Sequence, residues 1–367
     1  NYLVATKSKN VDLIIELIGG SDGAAKKLVF SALKNKKHVV TANKALIAKY
    51  GDRLAKIAET NKVNLEFEAS VCGGVPIIRS LKEGLIANKI NKIYGILNGT
   101  TNFILSSMQI SKKDFSEVLN KAKELGFAES NPLSDLNGND SAAKLRILSS
   151  IAFNKAISKN KMLIEGIQDI NLTDILHAKK LGYKIKLLSI SEIKNKKLIE
   201  RVHPSLVLKH SHLANIDGVL NAVVVEGKPV GQTVVQGEGA GPEATTSALV
   251  SDISSILRGN IKFPFTISNK KRKKIPFENI NNKDFSAYLR LDVKDKHGVL
   301  SDITKIMTKN KVSIKRLIQN PNKSKKFSSI IIITHNSKDN QLSKIIKQTS
   351  KKPFITRKPK LIRIGTN

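Results

Sequence analysis

The chain opens on an apolar run, Val11-Asp12-Leu13-Ile14-Ile15-Glu16-Leu17-Ile18, closed by Gly19-Gly20. That pattern predicts a strand covered on both faces and ended by a turn. Residues 22–35 switch to helical spacing, with Ala25, Leu28, Val29, Ala32 and Leu33 on one face. His38-Val39-Val40-Thr41 predicts the next strand, residues 43–59 the next helix, and the alternation over 63–69 a third strand. Strand, helix, strand, helix, strand is the order of a parallel α/β sheet. A dinucleotide-binding unit opens with a strand, G-x-G-x-x-G and a helix, and nothing before Val11 supplies them. The sequence is therefore expected to begin inside such a domain, with its first half absent.

Longer elements follow up to about Ile261. Helices are predicted over 76–87, 101–108, 112–125 (stopped by Gly126), 141–152 and 169–181. Strands are predicted over 90–97, 184–190, 198–204 and 221–225. Residues 269–282, with Lys270-Lys271-Arg272-Lys273-Lys274 and Pro276, read as a linker. Beyond it, strand 286–293, helix 298–309, strands 313–319 and 328–334, helix 340–349 and strand 360–364 form a β-α-β-β-α-β unit. That is a ferredoxin-like order.

Composition narrows the classes. The 367 residues are 40% hydrophobic, enough for more than one core, which excludes global disorder. One cysteine, Cys72, excludes an internal disulfide framework and a multi-cysteine zinc site. No apolar run approaches the ~18 residues of a membrane span. The net charge of +33 comes from 63 Lys+Arg against 30 Asp+Glu, and 53 of the 63 are lysines. The last hundred residues hold 26 basic and 6 acidic side chains. A charge this high raises a basic nucleic-acid-binding protein as an alternative. The absence of Trp, a 5% aromatic content and the lack of an arginine cluster speak instead for a lysine-rich solvated surface.

The densest polar cluster is Gly126-Phe127-Ala128-Glu129-Ser130-Asn131-Pro132-Leu133-Ser134-Asp135-Leu136-Asn137-Gly138-Asn139-Asp140-Ser141-Ala142-Ala143-Lys144. It runs from a loop into a helix. Asp140 falls at the N-cap or first turn, where free amides meet a carboxylate, and Lys144 lies one turn later on the same face. A lysine held beside carboxylates can relay protons once its pKa and direction are set. An ordinary helix-start aspartate with an i,i+4 ion pair has the same spacing.

From Ala122 to Lys144 the sequence resembles the signature of the homoserine dehydrogenases, A-x(3)-G followed by P-x(2)-D-[aliphatic]-x-G-x-D-x(3)-K. Further family-like segments occur in order. They are Val11 through Gly20, Thr41-Ala42-Asn43-Lys44, Glu68-Ala69-Ser70-Val71-Cys72-Gly73-Gly74-Val75-Pro76, Asn98-Gly99-Thr100-Thr101-Asn102 and Gly237-Glu238-Gly239-Ala240-Gly241-Pro242. Residues 286–366 resemble an ACT domain through Leu289-Arg290-Leu291-Asp292-Val293 and Gly298-Val299-Leu300.

The resemblance implies a mixed α/β and α+β protein. A partial Rossmann-like nucleotide-binding domain spans 1–66 and an α+β catalytic and dimerisation domain 67–268, whose residues 240–260 return to the nucleotide domain. A basic linker spans 269–284 and a ferredoxin-like ACT domain 285–367. It implies interconversion of L-aspartate 4-semialdehyde and L-homoserine with NADP or NAD, in threonine, methionine and isoleucine biosynthesis. It assigns catalysis to Lys144, Lys44 and Asp140, and substrate binding to Glu129, Asp135, Gly126 and Thr100. Cofactor binding falls on Gly20, Thr41, Lys44 and Gly241, and a Na+ or K+ site on Glu68, Val71, Gly73 and Val75. It further implies a cytoplasmic homodimer or homotetramer with threonine as effector, and no nucleic-acid or membrane partner. The ACT turn reads Asp295-Lys296-His297-Gly298 where Arg/Lys-Pro-Gly is commoner. A catalytically inactive amino-acid-sensing scaffold is the other alternative.

Overall fold

The computed structural model describes residues 2–260, 262–321 and 327–365. Asn1, Ile261, Thr366 and Asn367, which bound four of the expected ranges, lie outside them. After a short helix α1 (Val4–Lys7), strand β1 (Leu13–Glu16), helix α2 (Ala24–Lys34), strand β2 (His38–Thr41), helix α3 (Lys44–Asn61) and strand β3 (Leu65–Glu66) alternate as the spacing predicts. The three strands form a parallel sheet in the order β1-β2-β3. Asn43 starts α3 by accepting the Leu46 amide at 3.0 Å, the capping that a short polar side chain provides.

Two predictions fail at the next step, for one reason. The strand expected over 63–69 pairs only at Leu65–Glu66, then tightens into a 3-10 turn at Glu68–Ser70. The helix expected over 76–87 is one turn, α4 (Ile77–Arg79), running into a wider π turn at Ser80–Gly84. Buried charges set both shapes. The Glu68 carboxylate accepts the Ile78 and Arg79 amides at 2.8 and 2.7 Å, and the buried Lys82 reaches Glu66 at 3.0 Å. Hydrophobic periodicity carries no record of such partners.

Strand β4 (Lys89–Ile96) is followed by α5 (Gly99–Ser111), α6 (Phe115–Glu124), α7 (Leu133–Leu136) and α8 (Asn139–Ala152). Then come β5 (Leu163–Ile164), α9 (Leu172–Lys180), the long hairpin β6 (Tyr183–Lys194) and β7 (Lys197–Leu208), β8 (Leu220–Lys228), β9 (Gly231–Glu238) and α10 (Pro242–Leu257). Gly237 lies at the end of β9, which no predicted element covers and which pairs antiparallel to β8. The β9 side chains are half-exposed or exposed, so it lacks the apolar signal that marks a strand in sequence.

The C-terminal unit follows the predicted order: β10 (Asp284–Phe285), β11 (Ala287–Lys294), α11 (Val299–Lys309), β12 (Ile314–Pro321), β13 (Phe327–Thr334), β14 (Ser337–Lys338), α12 (Asp339–Thr349) and β15 (Lys360–Ile364). Its sheet order β12-β13-β11-β15 continues directly into β7-β6-β4-β8-β9. Strand β15 is the joint, antiparallel to β11 and parallel to β7. The basic stretch expected as a linker is docked. Arg272 is buried, pairs with Asp52 at 2.8 Å and lies 4.0 Å over the Phe265 ring. Apolar clusters lie on both faces of the large sheet, and α5 and α8 pack on it with their N-termini directed at the polar loop of residues 126–138. Among the described residues no helix is long and apolar enough to cross a membrane.

Candidate active site

Two helices from different parts of the chain meet at one carboxylate. Asp140 lies in the first turn of α8, but Gly138, in the left-handed conformation at φ +86°, occupies the N-cap. The Asp140 side chain turns into the protein, where it is 4% exposed. Its Oδ1 receives the Lys44 ammonium at 2.7 Å and its Oδ2 the Lys144 ammonium at 2.9 Å. Asn98 Nδ2 donates to the same Oδ2 at 2.9 Å and to Asp135 Oδ1 at 2.9 Å. The Lys144 amine also donates to the Leu97 carbonyl at 2.9 Å. The i,i+4 spacing anticipated the Asp140–Lys144 pair. It missed the third partner, Lys44 at the first turn of α3, a hundred residues away in sequence.

The electrostatics follow from burial and this geometry. Burial acts against the Lys144 ammonium, but the Asp140 carboxylate outweighs it and holds the amine's pKa above the ordinary lysine value. Burial likewise acts against the Asp140 carboxylate, and the Lys144 and Lys44 ammoniums together pull its pKa well below the usual range. Asp135 moves the other way, raised first by burial and then by the Asp140 charge. Lys144 is buried while the Lys44 side chain is 44% exposed. The cluster thus runs from an enclosed amine, through a carboxylate, to an amine in contact with water.

Asn98, to which the sequence motif assigns no role of its own, joins two parts of the site. Its Oδ1 caps α5 by accepting the Thr101 amide at 2.9 Å while its amide ties Asp135 to Asp140. Thr100 donates to the Phe127 carbonyl at 2.6 Å, which holds the loop of Gly126 and Glu129 over the start of α5. Gly126 ends α6 at φ +74°. Glu129 is exposed and is not brought into the Lys44–Asp140–Lys144 cluster.

Beside Lys44 lies a cleft of about 410 Å³ lined by Leu17, Gly19, Ala42, Asn43, Gly241 and Pro242 among others. It sits beyond the C-terminal ends of β1 and β2, the position where open α/β sheets bind their ligands. A buried network shapes its wall. The Glu16 carboxylate accepts the Ile18 and Gly19 amides at 2.7 and 3.0 Å and the Thr41 hydroxyl at 2.7 Å. Asn43 donates to the Gly20 carbonyl at 2.7 Å. Thr41 is therefore fully buried and occupied with Glu16, and Gly20 is tied back to α3. Glu16 carried a signal of its own, an acid inside an apolar strand. Gly241, at φ +111°, leads into α10 with Pro242 at its first position.

Glu68 is buried and its pKa is raised to about 7, chiefly by burial. No lysine or arginine side chain forms an ion pair with it among the described residues; Arg79 and Lys82 pair instead with Asp252 and Glu66. Val71, Cys72 and Val75 beside it are buried. Burial also raises the Cys72 thiol, against the pull of Lys144.

Residues 76–254 match the homoserine dehydrogenase family model, residues 2–68 the model of the homoserine dehydrogenase NAD binding domain, and residues 287–354 that of the ACT domain. A homoserine dehydrogenase of Neisseria gonorrhoeae is 40% identical over 349 residues, covering 92% of this chain and 79% of that protein. A crystal structure of the homoserine dehydrogenase from Thiobacillus denitrificans matches with a TM-score of 0.91 and 38% identity, over 100% of this chain and 84% of that one. A hyperthermophilic archaeal homoserine dehydrogenase in complex with NADPH matches at 25% identity with a TM-score of 0.63, over 72% of this chain and 76% of that one.

Proposed function

Because this chain belongs to the homoserine dehydrogenase family, we propose how its residues divide the work of that family's reaction. The enzyme is an oxidoreductase that interconverts L-aspartate 4-semialdehyde and L-homoserine with a nicotinamide cofactor. When bound, the nicotinamide gives or takes the hydride. The protein's own task is to hold the amino acid and to move a proton to or from the reacting oxygen.

Lys144 performs that transfer as the general acid in aldehyde reduction and, once neutral, as the general base in alcohol oxidation. Asp140 keeps the amine charged and aimed. Lys44 completes a relay, because it touches the other oxygen of Asp140 at 2.7 Å and is 44% exposed, able to exchange its proton with water. The bridging of one buried carboxylate by two lysines is the observation that carries this reading. Asp135 receives the substrate ammonium, with Glu129 assigned to it from the sequence motif alone, and the amides opening α5 at Gly99 and Thr100 receive its carboxylate.

Replacing Lys144 by Ala is expected to lower turnover by about 10²–10⁴-fold, with the cofactor KM nearly unchanged in a protein that still folds. Near-parental turnover would refute its role.

The cleft at Gly19, Ala42, Asn43 and Gly241 is proposed for the cofactor. The NADPH held by the archaeal relative makes the phosphorylated form the first to test. Glu68 is proposed for a Na+ or K+ site with the carbonyls of Val71, Gly73 and Val75, since carboxylate and carbonyl oxygens suit a hard monovalent ion. Replacing chloride salts of Na+ or K+ by choline chloride should then lower thermal stability. The ACT domain suggests amino-acid effector binding. Threonine at the turn of residues 295–298, with inhibition as the readout, is the specific proposal.

A further inference from the structure

The last strand of the chain does more than close the ACT sheet. Strand β15 pairs with β11 on one side and with β7 on the other, at Arg363↔Ser205 and Ile364↔Leu206. Arg363 itself points into the protein, with its side chain 2% exposed. Its Nε donates to Asp339 Oδ1 at 2.7 Å, at the first turn of α12. Its other two nitrogens grip Glu165, Nη1 on Oε2 at 2.8 Å and Nη2 on Oε1 at 3.3 Å. A two-pronged guanidinium–carboxylate contact fixes direction as well as distance.

Glu165 belongs to the segment on which the substrate loop rests. Its amide donates to the Val202 carbonyl at 2.8 Å, and the Ile167 amide donates to the Leu136 carbonyl at 2.9 Å. Gly166 lies so close that a Cβ there would collide with the Leu136 carbonyl and sit 2.6 Å from Asn137 Cα. Gly138, the N-cap of α8, faces Ile164, Val202 and the Glu165 carbonyl. Leu136 follows Asp135, and Gly138 stands two residues before Asp140. From the ACT domain the contacts therefore run Asp339–Arg363–Glu165, then through backbone into the turn that sets both acids.

We infer that Arg363, through Glu165, is a positioning residue for the amino-acid substrate, so that a residue of the C-terminal domain sets the geometry of the Asp135–Asp140 loop. The inference rests on the assignment of Asp135 and Asp140 to substrate binding and catalysis. It differs from a role in merely attaching the ACT domain, which predicts a general loss of stability and no preference between the two substrates.

The test uses the full chain and measures KM for homoserine and for the nicotinamide cofactor, with the unfolding temperature of each variant. Glu165→Gln keeps the shape, removes the charge and alters a side chain that is a third exposed. It is expected to raise the homoserine KM about tenfold with the cofactor KM within twofold. Arg363→Lys, which keeps the charge but loses the two-pronged contact, should move the same parameter, and Glu165→Asp should recover part of it. A homoserine KM within twofold of the parent in Glu165→Gln and Arg363→Lys overturns the inference. So does a parallel rise in both KM values with a fall in unfolding temperature. Asp135→Asn separates the two levels. If it leaves the homoserine KM unchanged, the substrate assignment falls and the inference with it. If it raises that KM while the Glu165 and Arg363 variants do not, only the positioning role falls.

Discussion

Replacing Asp140 by Asn keeps the size of the side chain and removes the one charge that two lysines share. The Lys144 amine is raised in pKa only because the carboxylate at 2.9 Å outweighs the effect of burial. With the anion gone, burial acts against only the weaker pull of Cys72 and Asp135, and the pKa falls. Removing one partner of a buried ion pair costs about 3–5 kcal/mol. If roughly 3 kcal/mol of that falls on the Lys144 ammonium, at about 1.4 kcal/mol per unit the amine drops by about two pKa units. Aldehyde reduction needs the amine protonated and homoserine oxidation needs it neutral. In both directions, therefore, the limb of the pH–rate profile governed by Lys144 moves toward lower pH by about two units. The maximal rate falls as well, by about 10²–10³-fold, because Lys44 loses the carboxylate that joins it to Lys144. The assay is kcat against pH in both directions, with the unfolding temperature as a check on folding. A limb that stays within half a unit of the parent's, in a folded variant, would show that Asp140 does not control the Lys144 proton.

Three further outcomes follow from the same contacts. Asn98→Ala removes the amide that joins Asp135 to Asp140 and the cap of α5. It should raise the homoserine KM about tenfold and lower stability by about 1 kcal/mol, the usual worth of a cap, as read by steady-state kinetics and denaturant unfolding. Asp252 has a pKa raised to about 7, by burial and then by the Glu66 charge. Because the fold favours its protonated form, that stability is present below the ordinary carboxylate range and is lost as pH climbs through about 7. The unfolding temperature should fall between about pH 5 and 8, and Asp252→Asn should flatten the slope; a parent with no slope contradicts the assignment. Gly166→Ala should displace the Leu136 carbonyl and its loop, costing about 1–3 kcal/mol as overpacking does, with a homoserine KM that rises more than the cofactor KM.

Much of the architecture was legible in the pattern of apolar positions. The elements of the C-terminal unit, β11, α11, β12, β13, α12 and β15, each fall within a few residues of their predicted ranges, because their apolar positions repeat at the period of the element and pack on a common core. The failures cluster where polar groups are buried. The 63–69 strand and the 76–87 helix were reshaped by Glu68 and Lys82. Strand β9 showed no apolar run because its side chains are partly solvated. Arg272, read inside a basic linker, is buried against Asp52 and Phe265.

The candidate site divides in the same way. Asp140 and Lys144 are four residues apart on one helix, so their pairing is a local consequence of helix geometry and was present in the sequence. The homoserine dehydrogenase signature and the β-α-β-β-α-β order were present there too, since both are linear patterns. The position of Lys44 on the far oxygen of Asp140, the double grip of Asn98, the burial of Thr41 against Glu16 and the reach of Arg363 to Glu165 were not. Each joins segments between about 25 and 200 residues apart, and no periodicity encodes which distant side chain a buried charge will find. Such pairs form because an ionised group withdrawn from water is stable only with a partner, and the packing of the sheets decides which partner is within reach.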